Sequence, residues 1–194
     1  MAEPARKLAS YDDLYNIPEN TTGEIIDGEL IVSPRPSPEH MFTSSNLGLE
    51  IGPPYARGRG GPGGWIILYE TEIKLDEDVF VPDLAGWKKE RFSKPKDQNW
   101  VSVAPDWVCE VLSPGSIRHD RITKARTYAR HRIPYFWLLD PRNKTLDVFR
   151  LEAGKWIPIG VYAEADKVRA EPFQEIEIDL GNLWLEEQPQ PPEK

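Results

Sequence analysis

Pro105-Asp106-Trp107-Val108-Cys109-Glu110-Val111-Leu112-Ser113-Pro114-Gly115-Ser116 reads as a strand that stops abruptly and gives way to a helix. The strand, expected over 106–112, is rich in apolar and β-branched residues. Ser113-Pro114-Gly115 breaks it, and Ser116 offers an N-cap for a helix running to about His131. One charged residue lies inside the strand. Glu110 sits between Cys109 and Val111, and an ionised carboxylate buried without a partner costs several kcal/mol. An acid in that setting calls for a compensating cation, supplied by a basic side chain or by a metal.

Beyond this junction, Tyr135 to Leu139 is continuously apolar, as expected of a central strand covered on both faces. Strands over about 145–151 and 155–162 follow, joined by turns at Pro141 to Lys144 and at Ala153-Gly154. One more short strand after Phe173 and a Leu183 to Leu185 segment precede a Pro-rich tail, 186–194, expected to be disordered. On the N-terminal side, residues 1–22 read as a polar arm with a helical turn at Tyr11 to Tyr15 and Pro18 as breaker. Asp27-Gly28 places a hairpin turn within Glu24 to Val32. Ser37 caps a helix over Pro38 to Ile51 that Gly52-Pro53-Pro54 is expected to end. Residues 52–64 read as a loop with nothing to pack in a core. Residues 65–75 and 79–87 read as two strands of a hairpin turned at Asp76-Glu77-Asp78, and 88–100 as a surface excursion. One domain is therefore expected over 23–185.

Composition sets limits on function. The chain has 194 residues, 39% hydrophobic and 29% charged, enough for one core and few for two. No apolar run reaches the roughly 18 residues that span a bilayer, and the N-terminus lacks the apolar stretch of a secretory signal; the expected location is the cytoplasm. Cys109 is the single cysteine, which excludes an internal disulfide and a cysteine-built zinc site. The formal charge of −8 runs against phosphate binding, but charge is segregated. From Glu164 to Lys194 nine acids outnumber three bases, a net of −6, whereas between Arg118 and Arg132 six bases face only Asp120, a net of +5. The seven tryptophans fall mostly in expected strands, so core packing accounts for them before base stacking does.

The residues able to do chemistry lie around the first stretch. Asp83 follows Pro82 at the start of an expected strand, and with Glu110 it forms a pair of acids suited to a hard cation such as Mg²⁺, which binds one or two carboxylates and completes its shell with waters and phosphate oxygens. Taken singly, each acid has an ordinary explanation: an ion pair for Glu110, a turn for Asp83. Lys124 lies on the helix after the Glu110 strand, with Asp120 and Tyr128 on the same face at i, i+4 spacing. A surface Asp120–Lys124 pair is the plain account; an ammonium directed at Glu110, positioning or deprotonating an attacking water, is the functional one. Pro105-Asp106 repeats the Pro-Asp pattern, but Asp106 and Glu110 are about 13 Å apart along one strand, too far to share an ion. His40 and Glu50 on the Pro38 to Ile51 helix, Glu70 and Glu72 on a strand, and Arg57, Arg59, Arg118 and Arg121 as phosphate contacts are secondary candidates. His119 and His131 lack metal-ligand spacing, and the glycine-rich loop lacks the Lys-Ser/Thr ending of a P-loop.

The set Pro82-Asp83, the 105–116 stretch, the spaced Asp120, Lys124 and Tyr128, and Ile133 to Pro141 resembles the Uma family of restriction-endonuclease-like proteins. Gly23-Glu24-Ile25-Ile26-Asp27-Gly28-Glu29-Leu30 and His40 look like that family's N-terminal signature, so the likeness covers about residues 22–185. It implies an α/β fold of the PD-(D/E)XK class, a mixed β-sheet flanked by helices, in which Asp83 and Glu110 hold Mg²⁺ or Mn²⁺. The superfamily's lysine stands two residues after the acid, where this chain has Leu112; in the family it moves to the next helix, at Lys124. The implied activity is that of an endonuclease hydrolysing phosphodiester bonds in DNA and leaving 5′-phosphate ends. A homodimer would suit cutting of both strands. The alternative is a non-catalytic nucleic-acid-binding or protein-interaction module that keeps the nuclease fold.

Overall fold

The computed structural model describes residues 8–186. After a 3₁₀ turn at Tyr11–Asn16, the chain forms β1 (Thr21–Ile26), β2 (Glu29–Pro34) and helix α1 (Pro38–Ile51). It continues with β3 (Trp65–Tyr69), β4 (Ile73–Leu75), β5 (Asp78–Phe80), β6 (Leu84–Lys88) and β7 (Trp107–Val111). Helix α2 (Ala125–Arg130), β8 (Tyr135–Asp140), β9 (Thr145–Glu152), β10 (Lys155–Ala163), β11 (Lys167–Val168), β12 (Ile178–Asp179) and a 3₁₀ turn at Leu180–Leu183 complete it. The Pro-rich tail expected from 186 lies, from 187 onward, outside the described residues.

Six strands make the main sheet in the order β10-β9-β8-β7-β6-β3, and β2-β1-β5-β4 make a smaller one. β7 and β8 are parallel while their outer neighbours are antiparallel, because a long crossover carrying α2 returns the chain to the same end of the sheet. β7 alternates cleanly. Trp107, Cys109 and Val111 face one buried cluster, shared with Leu47 and Ile51 of α1; Val108 and Leu112 face the other, shared with Ala125 and Tyr128. Both faces of the sheet are covered, which is why β8 reads as an unbroken apolar run over Tyr135 to Leu139.

Several sequence expectations hold. The β1–β2 turn has Asp27 and Gly28 both at positive φ, 53° and 73°, the conformation that Asp-Gly favours in a two-residue hairpin. Ser37 accepts the His40 amide at 3.3 Å and caps α1. Others are corrected. The hairpin expected over 65–87 is divided between the two sheets: β3 pairs with β6 in the main sheet, and β4 with β5 in the smaller one. The break falls at Glu70, at φ 42°, and at Pro82, which has no amide hydrogen for a ladder. The chain does not leave helix at Gly52-Pro53-Pro54 but adds a π-helical turn, Gly52–Ala56. Pro54 and Tyr55 are buried, so the Gly/Pro segment does contribute to the core. The helix expected from Ser116 does start at residue 117, but it widens into a π-helical turn over His119–Lys124 before α2.

Phe173 organises one half of the core. Its ring lies 4.7 to 5.6 Å from those of Tyr55, Trp65, Trp107 and Trp137, and it is fully buried. Five of the seven tryptophans are buried, consistent with a packing role. Phe173→Ala would open a cavity between four rings that cannot collapse together, and a loss of about 3–5 kcal/mol is expected. Chemical denaturation measures it; a loss under about 1 kcal/mol would mean that this cluster is not the keystone its geometry indicates.

Candidate active site

β6 and β7 pair with Leu84 opposite Cys109, so extending that register by one residue sets Asp83 opposite Glu110. The acid that precedes one strand thus faces the acid inside its neighbour. Asp83 is fixed from two sides: its Oδ2 accepts the Val111 amide at 2.7 Å, and its Oδ1 lies 2.8 Å from His40 Nε2. His40 reaches it from the first turn of α1, where the Ser37 cap holds the backbone. Glu110 is 2% exposed. Its Oε1 accepts a short hydrogen bond from the Tyr128 hydroxyl, and its Oε2 accepts Lys124 Nζ at 3.1 Å.

Lys124 ends the π-helical turn and points into the protein. The Asp120–Lys124 pair is not on the surface: the residues are 3% and 5% exposed and their charges 3.9 Å apart. The ammonium also meets Glu24 Oε1 at 3.1 Å and donates to the Val81 carbonyl at 3.3 Å. Two of its hydrogen bonds thus go to Glu110 and Val81, and Glu24 adds an ion pair. The structure pairs Glu110 with Lys124, and Asp83 acts on both charges from the neighbouring strand; Asp120, Tyr128 and His40 each contact one of the three.

Four buried or nearly buried carboxyls, Glu24, Asp83, Glu110 and Asp120, thus surround one ammonium. Burial, then the charges of Asp83, Asp120 and Glu24, raise the Glu110 carboxyl well above the usual carboxylate range against the pull of Lys124. Burial likewise raises Asp120. For Lys124, desolvation opposes the charge but Glu110, Glu24, Asp120 and Asp83 override it, so the amine is held well above its ordinary value and stays an ammonium. Glu24 is lowered: desolvation acts against ionisation, and Lys124, His119 and the Val81 amide outweigh it. His40 is raised by Asp83, Asp120 and Glu70 despite desolvation.

Glu24 is the residue that sequence reasoning missed as a member of the site. Its signal was the one that marked Glu110, an acid among apolar strand residues: Ile25 and Ile26 are each 1% exposed and Glu24 itself 4%. Glu70 borders the site, its amide donating to the Asp83 carbonyl at 3.2 Å; the other candidates lie elsewhere. Glu50 accepts from Asn182 and Glu72 from Tyr11, and Asp106 pairs with Arg91 and the Lys88 amide. His131 binds Asp78. Arg57, Arg59 and Arg118 are exposed. Half of the six bases in the +5 segment are engaged within the fold: Lys124 is buried among acids, Arg121 pairs with Asp147, and Arg130 pairs with Asp27 and Asp78.

The donors suit a hard divalent cation. Asp83 and Glu110 offer oxygens only, each oxygen makes one protein hydrogen bond, and a carboxylate has about four lone-pair sites, so capacity remains. The excess of acids over the lone ammonium supplies the electrostatic demand. Among the described residues no group of three His, Cys, Asp or Glu side chains is placed to hold an ion, so the protein provides two carboxylates at most, a common share for Mg²⁺.

A family profile, Uma2, described as "Putative restriction endonuclease", matches residues 8–181. Among solved structures, the chain is similar to a protein described as "a putative nuclease belonging to DUF820" from Anabaena variabilis ATCC 29413, at 22% identity and a TM-score of 0.69, over 91% of this chain and 97% of the other. No curated protein matches. The fold is the restriction-endonuclease-like α/β fold that the sequence resemblance implied. No helix among the described residues is long and apolar enough to cross a membrane.

Glu110 and His40 both bind protons more tightly in the folded protein than in an open chain. Each therefore contributes stability below its ordinary value and loses it as pH rises through the raised one. Glu24, lowered, behaves oppositely: its contribution is present above the ordinary carboxylate value and lost in acid. Their contributions should accordingly decline as pH rises above 4.5 for Glu110 and above 6.5 for His40. Glu110→Gln should remove the carboxyl's share of that decline and so flatten the pH profile. Denaturation midpoints across pH test this, and a Glu110→Gln curve parallel to wild type contradicts it.

Proposed function

This chain belongs to the Uma2 family, and from that premise we propose that it is a metal-dependent endonuclease hydrolysing phosphodiester bonds in DNA. Family membership supports nuclease function in general; the observation that carries the finer reading is the buried Glu110–Lys124 pair with Asp83 near enough to act on both charges. Asp83 and Glu110 would hold Mg²⁺ or Mn²⁺, which when bound polarises a water and neutralises charge on the reacting phosphate. Tyr128 and Lys124 orient the Glu110 carboxylate, and His40 with the Val111 amide orients that of Asp83.

Held as an ammonium, Lys124 is a donor and not a base. Its hydrogen bond to the Val81 carbonyl, 3.3 Å, is longer than that to Glu110, 3.1 Å. Exchanging that contact for the attacking water or a phosphate oxygen lets it position the nucleophile and offset the negative charge that grows in the transition state. Exposed Arg57, Arg59 and Arg118 would meet the DNA backbone, with Arg121 recruited from its pair with Asp147. Products would carry 5′-phosphate ends. The same proposal places the protein in the cytoplasm, and as a homodimer where both strands are cut.

A second reading, a non-catalytic nucleic-acid-binding or interaction module, is favoured by one observation: half of the six basic residues between Arg118 and Arg132 are paired with acids of the fold. Supercoiled plasmid with Mn²⁺ separates the two. Wild type should nick it, and Asp83→Asn, Glu110→Gln and Lys124→Ala should each lower the rate by at least about a hundredfold. Mn²⁺ should also raise the unfolding temperature of wild type but not of Asp83→Asn. Nicking unchanged in all three variants rules out this centre. Mn²⁺ stabilisation without nicking supports the second reading.

A further inference from the structure

Glu24 belongs to neither acid position that a two-carboxylate metal site requires, yet it is one of the most enclosed charges in the protein. It is 4% exposed, on β1 of the smaller sheet, with Ile25 and Ile26 beside it in the core. Its Oε1 accepts the Val81 amide at 2.7 Å and meets Lys124 Nζ at 3.1 Å; its Oε2 lies 3.1 Å from His119 Nε2. Three segments thus end on one carboxylate: the Val81-Pro82-Asp83 corner between the sheets, the lysine, and the start of the π-helical turn that carries it.

We infer that Glu24 is a positioning residue of this centre, acting through Lys124: it holds the ammonium against Glu110 and locks the corner that delivers Asp83. The inference rests on the nuclease reading of those three residues. A hairpin strand has no need of a buried acid for its own pairing, since β1 is fully laddered to β2 through backbone groups. What the charge of Glu24 does is hold, by an ion pair at 3.1 Å, an ammonium that otherwise faces Glu110, the Val81 carbonyl and the more distant Asp120 and Asp83. Without it, Lys124 is free to swing toward Asp120 and away from the position beside Glu110.

A purely structural role makes different predictions, because a glutamine at 24 keeps an oxygen for the Val81 amide and loses only the charge. Wild type, Glu24→Gln, Glu24→Asp, Lys124→Ala and the Glu24→Gln/Lys124→Ala double variant are compared in Mn²⁺-dependent nicking, with DNA Kd measured without turnover. Glu24→Gln should lower kcat about ten- to hundredfold with KM and Kd within about twofold, and Glu24→Asp should recover part of the loss. In the Lys124→Ala background, Glu24→Gln should cost no more than about twofold further, since residues acting as a unit are not additive. A full multiplicative loss in the double variant, or an effect confined to KM, overturns the inference. If Glu24→Gln does not fold, Glu24→Asp, whose charge is withdrawn by one methylene, is read in the same way.

A measurement independent of cleavage separates failure of this inference from failure of the nuclease reading. In ¹⁵N-lysine-labelled protein the Lys124 ammonium should give a resolved, slowly exchanging signal that Glu24→Gln removes. A signal unchanged by Glu24→Gln refutes positioning by Glu24. An inactive wild type with a Glu24-dependent signal refutes the nuclease reading alone.

Discussion

The Lys124 ammonium, shared between Glu24 and Glu110, is the interaction from which the rest of this structure takes its arrangement. Glu24 belongs to the smaller sheet, Glu110 to the main sheet, and Lys124 to the crossover between two parallel strands. One buried charge therefore fixes how three layers meet. A pair of this kind adds little net stability, because desolvation offsets most of the attraction. Its geometric demand is strict, however, since removing either partner strands an uncompensated charge.

The acid excess around that ammonium has a structural cost and a chemical use. Glu110 is ionised only against burial and three neighbouring carboxyls, so the centre carries an excess of negative charge of the kind that a divalent cation relieves. Stability must come from elsewhere, and the opposite face of the sheet supplies it: Phe173 and its four surrounding rings lie in the cluster that packs on α1, away from Lys124 and Tyr128. One face is built for packing and the other for charge. β7 serves both through its alternation, with Cys109 and Val111 toward the aromatic face and Glu110 toward the acids.

A second ionic group steadies the smaller sheet. Asp78, at the start of β5, accepts from Arg130 at 2.5 Å, from His131 at 2.7 Å and from the Asp27 amide at 3.0 Å. It ties the β1–β2 turn to the end of α2, two turns of helix beyond Lys124. Two of the basic residues that made the 118–132 segment look like a nucleic-acid patch are consumed in such internal contacts, Lys124 at the centre and Arg130 here.

By itself the sequence determined those features whose cause is local. Asp27-Gly28 marked a hairpin because few other dipeptides tolerate two positive φ angles, Ser37 marked the start of α1 because its hydroxyl is the nearest acceptor for a free amide, and the unbroken apolar run of β8 announced burial on both faces. An acid and a lysine flanking a strand-to-helix junction were legible for the same reason, with the family resemblance adding Asp83. Only the tertiary structure decided what depends on distant pairing. The passage of residues 65–87 from one sheet to the other is set by which strands lie alongside, and Glu24, 100 residues before Lys124 in the chain, enters the site because the smaller sheet folds back over α2. Nor does a basic count show which cations are already paired, since charge is written in the sequence but its neutralisation is a matter of distance.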